Sequence, residues 1–105
     1  HNTDIGANTV MSAQVGIAGS TKVGEWCMFG GQVGISGHLK IGNKVFLGAQ
    51  SGVLSKLKDN QSLMGSPAIE PRNYFKSQVI FQRLPEIYKH IDSLQKEIDE
   101  LKKKK

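Results

Sequence analysis

A single cysteine, three histidines and seven aromatic residues leave this 105-residue chain few of the usual carriers of chemistry. Cys27 has no partner for an internal disulfide, so the fold is not a cross-linked scaffold, and its repeat position points into a core as a small hydrophobe. A lone thiol agrees with a reducing compartment, and the expected location is cytoplasmic. No apolar run approaches the roughly 18–20 residues needed to span a bilayer, and no signal-peptide pattern opens the chain. The reading is a soluble protein with no integral membrane segment.

The formal net charge of +5 is moderate. Its basic residues are not interleaved with aromatics, so no nucleic-acid partner is expected. A basic surface of this kind suits an acidic partner. The terminal Lys102–Lys105 run reads as a solvated tail.

What the chain does have is glycine, twelve residues concentrated in its first half, and a repeat. The letters QVGI stand at 14–17 and again at 32–35, eighteen residues later. Counting in sixes from Ile5 gives Ile5, Met11, Ile17, Val23, Phe29, Ile35, Ile41, Leu47 and Val53, all apolar. Gly, Ser or Ala follows each except Val53, which Leu54 follows. Four places after each apolar residue stand Thr9, Val15, Thr21, Cys27, Val33, Leu39, Val45, Ser51 and Leu57, all small or aliphatic.

A period of six matches neither a lone helix nor a simple alternating strand. It matches a short strand and a corner, repeated, with three faces to a coil of eighteen residues. The prediction is a mainly β protein, a parallel β-helix of about three coils over 1–58, each coil stacking its inward layer on the next. A polar, turn-rich connector covers 59–70. Residues 71–105 read as an α-helical extension. There Leu84, Ile87, Ile91, Leu94, Ile98 and Leu101 alternate spacings of three and four, the seam of a coiled coil. Pro85 marks the start of a second helix, after a shorter one carrying Tyr74, Phe75, Val79, Ile80 and Phe81.

The hexads resemble those of the hexapeptide-repeat acyltransferases, and that resemblance supplies a left-handed helix and a homotrimer; general crossover rules alone favour the right-handed form. His1-Asn2, AQVGIAGSTKVGEWCMFGG at 13–31, VGISGHLKIG at 33–42 and GSPA at 65–68 are similar to the UDP-3-O-acylglucosamine N-acyltransferase family of lipid A biosynthesis. The resemblance implies transfer of a (hydroxy)acyl chain from acyl carrier protein to the 2-amino group of UDP-3-O-acylglucosamine, with no metal and no cofactor. It also implies that the chain is the C-terminal portion of an enzyme whose nucleotide-binding domain and earlier coils precede His1. The portion alone is then expected to be inactive.

By the same resemblance His1 is the general base, and imidazole suits that task because its ordinary pKa of about 6.5 leaves it largely neutral near pH 7. Gly19, eighteen residues on, is the backbone oxyanion donor, and His38 positions the donor thioester. Gly52 is placed in the acyl-chain pocket, where glycine leaves the groove open to a longer chain. Lys56, Lys58, Arg72 and Lys76 are candidate docking residues for the acidic carrier, or else solvated charges that keep a sheet edge soluble. His90 receives no role. Two other readings stand beside this one. The first is another hexapeptide O- or N-acyltransferase, including one that uses acetyl-CoA. The second is a structural trimerisation module without activity. A metal-dependent hydratase needs three converging histidines, and only His1 and His38 lie in the repeats.

Overall fold

A computed structural model describes residues 1–104. Ten two-residue strands come first: β1 (Asp4–Ile5), β2 (Val10–Met11), β3 (Gly16–Ile17), β4 (Lys22–Val23), β5 (Met28–Phe29), β6 (Gly34–Ile35), β7 (Lys40–Ile41), β8 (Phe46–Leu47), β9 (Gly52–Val53) and β10 (Ser62–Leu63). Two helices follow, α1 (Pro71–Gln82) and α2 (Leu84–Lys103).

The strands form three parallel sheets, in the orders β1-β4-β7, β10-β8-β5-β2 and β3-β6-β9. Register runs in steps of eighteen, with Val23 against Ile41, Phe29 against Leu47 and Ile35 against Val53. This is the expected parallel β-solenoid of about three turns with helices after it. Contacts divide the chain into one compact unit, His1–Tyr74, and a second that begins at Phe75.

Each strand sends its second residue inward. Val23, Phe29, Ile35, Ile41, Leu47 and Val53 are buried, joined by Cys27, Val33, Val45 and Leu57 from the positions four places on. In the first coil the same layer is more open: Ile5 is exposed, and Met11 and Ile17 are half-buried. Buried polar groups are satisfied inside the coil, as burial requires. The Thr21 hydroxyl donates to the Ser36 carbonyl at 2.8 Å and accepts from the Leu39 N–H. The Ser51 hydroxyl donates to the Gly48 carbonyl, and the Cys27 thiol to the Gly42 carbonyl at 3.2 Å. Cys27 is therefore a core residue, 1% exposed.

Corners are built by a device the sequence did not announce. Asn2, Asn8, Gln14, Ser20, Trp26, Gln32, His38, Lys44 and Gln50, each six residues after the last, all have φ between 55° and 63°. Left-handed backbone is unusual for residues other than glycine and costs roughly 1–2 kcal/mol each outside Asn and Asp. A repeated bond offsets it. From position 20 on, the N–H of each such residue donates to a carbonyl nineteen residues earlier, as Ser20 does to His1 and Gln32 to Ala13, both at 3.0 Å. At one corner the side chains add a ladder: the Gln32 amide donates to Gln14 at 2.8 Å, and the Gln50 amide to Gln32 at 3.0 Å.

After β9 the coil shortens by two residues. Leu57 bridges Ile41, sixteen back, and Ser62 pairs with Phe46, also sixteen back. Residues 59–70, expected as a connector, thus contain β10 and continue one sheet. An antiparallel bridge from Met64 to Ile69 closes the GSPA turn. That turn lies on the edge of β9, where the Gly52 N–H donates to the Gly65 carbonyl and Gly52 accepts from the Ala68 N–H, both at 2.8 Å. Gly65 has φ +94°, and a Cβ there would stand 2.8 Å from the Tyr74 ring, so only glycine fits.

The helices carry no buried residue. Pro85 occupies the first turn of α2, where its missing N–H costs nothing. Five of the six seam residues, Leu84, Ile91, Leu94, Ile98 and Leu101, are 43–65% exposed, leaving the stripe uncovered in a single chain. Among the described residues, no helix is long and apolar enough to cross a membrane.

Candidate functional site

The three faces differ in what they present outward. On the face of β1, β4 and β7 the outward residues are Asp4, Lys22 and Lys40; on that of β2, β5 and β8 they are Val10, Met28 and Phe46. On the third face they are Gly16, Gly34 and Gly52. With no side chains on it, this last face holds an open, mostly apolar depression of about 530 Å³, bordered by Ala18, Ser36 and Leu54.

The corner between the glycine face and the lysine face carries the candidate catalytic residues. Here Gly19 sits against His1 of the preceding coil: a Cβ on Gly19 would lie 3.0 Å from the His1 carbonyl oxygen and 3.8 Å from the His1 Cβ. Gly37 stacks on Gly19 in the same way, with the Gly19 carbonyl 3.0 Å from its Cβ position. Such approaches are tighter than ordinary side-chain contacts, so a larger residue would need the neighbouring carbonyl to give way by a few tenths of an ångström. The N–H of Gly19 and that of Gly37 have no acceptor among the described residues. Such amides, fixed by the coils on either side, are free to donate at little reorganisation cost.

His38 follows Gly37 and bonds through its N–H to the Gly19 carbonyl at 3.0 Å, occupying the corner position that Ser20 holds one coil earlier. Both His1 and His38 are exposed, and neither imidazole has a protein partner among the described residues. At about 4.8 Å per coil their backbones stand roughly 10 Å apart along the axis.

The structure brings His1, Gly19 and His38 to one edge and sets Gly52 on the adjoining face. Gly52 differs from its column neighbours. A Cβ at Gly16 or Gly34 meets nothing within 4 Å, whereas one at Gly52 would stand 2.6 Å from the Ser66 hydroxyl. The GSPA turn therefore borders the depression at this end. Lys56, Lys58 and Arg72 are exposed in the first unit, and Lys76 is exposed in the second. His90 lies exposed on α2, apart in sequence from the repeats.

Sequence reasoning missed the glutamine ladder and the lysine column. Both were encoded in the same eighteen-residue spacing that revealed the coils: Gln14, Gln32 and Gln50, and Lys22 and Lys40.

Three-sheet coils with a histidine and stacked glycines at one open corner define a hexapeptide-repeat β-solenoid with a candidate transfer site. No family model matches the chain. The UDP-3-O-acylglucosamine N-acyltransferase of Phocaeicola vulgatus is 59% identical over 103 residues, covering 98% of this chain and 30% of the relative. That of Bacteroides thetaiotaomicron is 58% identical over 102 residues, 97% of this chain and 30% of the relative. That of Nitratidesulfovibrio vulgaris is 54% identical over 103 residues, 98% of this chain and 30% of the relative. Over nearly its whole length the chain is similar to these UDP-3-O-acylglucosamine N-acyltransferases and matches their C-terminal region, as its motifs suggested. It spans about 30% of the length of these relatives.

Proposed function

We propose that the chain supplies the acyl-donor side of an N-acyltransferase. In this reading an acyl group carried as a thioester on acyl carrier protein is transferred to the 2-amino group of UDP-3-O-acylglucosamine, a step of lipid A biosynthesis. The observation that carries the reading is the corner where an unpartnered Gly19 N–H stands one coil from an exposed His1, beside an apolar depression. The amine nitrogen attacks the thioester carbon while His1 takes its proton. Gly19 donates to the oxyanion; the C–S bond then breaks, and the sulfur leaves as the thiol of the carrier arm with the proton that His1 took from the amine. His38 holds that arm further along the edge. Lys56, Lys58 and Arg72 receive the acidic carrier, and Lys76 is a separate candidate on the second unit. A cytoplasmic location fits the single buried thiol of Cys27.

Assembly is part of the proposal. The outward column Val10, Met28 and Phe46 is 42–58% exposed, and the α2 seam is uncovered. Association of three copies would bury both and set each active corner beside a neighbour. Recognition of the nucleotide falls to the part of the relatives that this chain does not span, so the 105 residues alone are expected to turn over little or no substrate.

The test is a chimera in which this chain replaces the matching 103 residues of the Phocaeicola vulgatus relative. We expect the chimera to acylate UDP-3-O-acylglucosamine from acyl carrier protein, and the isolated chain not to. A chimera that folds and trimerises but never transfers an acyl group would leave only a structural module.

A second prediction concerns Gly52. In the chimera Gly52→Met, whose Cβ must displace the Ser66 hydroxyl, should shift preference to a shorter acyl chain, read from a series of carrier thioesters of graded length. An unaltered profile removes Gly52 from the pocket.

A further inference from the structure

The depression on the glycine face is lined almost wholly without polar side chains: three glycines, Ala18, Leu54 and three residues of the inward layer. Ser36 is the exception. Its equivalents one coil before and one coil after are Ala18 and Leu54, so a single hydroxyl interrupts an apolar row. Two bonds fix its backbone: the Ser36 N–H donates to the Val53 carbonyl at 3.0 Å, and its carbonyl accepts from the Thr21 hydroxyl at 2.8 Å. Ile35 before it is buried, so alternation turns the Ser36 side chain outward. The Ser36 hydroxyl has no protein partner among the described residues, and it is not sealed from the depression.

Ser36 adjoins Gly37, which stacks one rung beyond Gly19. A rung is about 4.8 Å, so a chain laid along this face from Gly19 towards Gly52 passes Ser36 within its first few carbons. In an apolar groove, one placed polar group fixes orientation and specificity. We infer that Ser36 reads a hydroxyl on the third carbon of the acyl chain, and so separates a 3-hydroxyacyl donor from the plain chain of equal length. This inference rests on the donor reading above and deepens it by naming the side chain that recognises the donor. A hydroxyl is favoured over a charged group because no cationic or anionic side chain lines the depression. The Ser66 hydroxyl, beyond Gly52, stands roughly two rungs further on and meets the tail of the chain instead.

The test sets 3-hydroxyacyl against plain acyl carrier thioesters of one chain length in the chimera, and reads the ratio of their kcat/KM values. The parent should prefer the hydroxylated donor by about tenfold, the worth of one hydrogen bond. Ser36→Ala should bring the ratio to within about twofold of unity by slowing the hydroxylated donor alone. Ser36→Thr, which keeps the hydroxyl, should retain the preference, and Ser66→Ala should leave it unchanged. Turnover of the plain donor should be equal in all four proteins, which separates recognition from a folding defect. A preference that survives Ser36→Ala, or that Ser66→Ala abolishes, overturns the assignment to Ser36 while leaving acyl transfer standing. An equal loss on both donors in Ser36→Ala overturns it too, since the residue would then serve only the scaffold. Absence of turnover with either donor in the parent overturns the donor reading itself.

Discussion

His1→Ala in the chimera should lower acyl transfer by about 10²- to 10⁴-fold, the range for a positioned general base. The defect should lie in kcat, because the proposed role acts on the amine proton in the transition state and not on either substrate at rest. His38→Ala should differ in kind: if it holds the donor arm two coils away, as proposed, its cost falls mainly on the KM for the thioester. Steady-state kinetics with carrier-bound donor read both. Activity within about threefold of the parent for His1→Ala lies far outside the expected range and would remove His1 from the chemistry. The same assay distinguishes the other acyltransferase reading, since an oxygen nucleophile of another sugar would then be preferred to the 2-amino group.

Ile41→Ala is expected to destabilise the chain by about 2–5 kcal/mol, through lost burial and the cavity left behind. Ile41 is 1% exposed and pairs with Val23 on one side and Leu57 on the other, so its removal opens the stack between adjoining coils. Against a typical domain stability of roughly 5–15 kcal/mol this is a large fraction. Its chain neighbour Lys40 faces outward, and Lys40→Ala should stay within about 0.5 kcal/mol. Urea unfolding followed by circular dichroism would show the midpoint falling for the first at an unchanged slope, and staying for the second. Equal midpoints for the two would mean that the inward and outward positions are misassigned.

The coils were legible because burial imposes a strict period: an apolar residue every sixth place has no other economical use. Nine such residues set the register of the inward side chains as far as Val53. The corners were not legible, since Trp26 and Lys44 have no local preference for left-handed backbone and adopt it only because stacked coils supply the bond. The two-residue shortening after Val53 was also hidden. Leu57 satisfies the hexad pattern in sequence, yet it pairs with Ile41, so a composition that reads as polar and turn-rich still yields β10. At the candidate site, spacing alone put His1 and Gly19 one coil apart. The roles of base and oxyanion donor came from resemblance, since a repeat pattern carries no information about chemistry.

The corner bond separates two tasks that most proteins entangle. Ser20 and His38 make the same backbone hydrogen bond to the coil before, at the same φ to within a degree. At this corner the side chain takes no part in that bond, so the bond does not dictate its identity. An edge built this way can exchange hydroxyl for imidazole or amide, one coil at a time, while the scaffold beneath it stays the same. New specificity would then need no new fold, only a new letter at every eighteenth place.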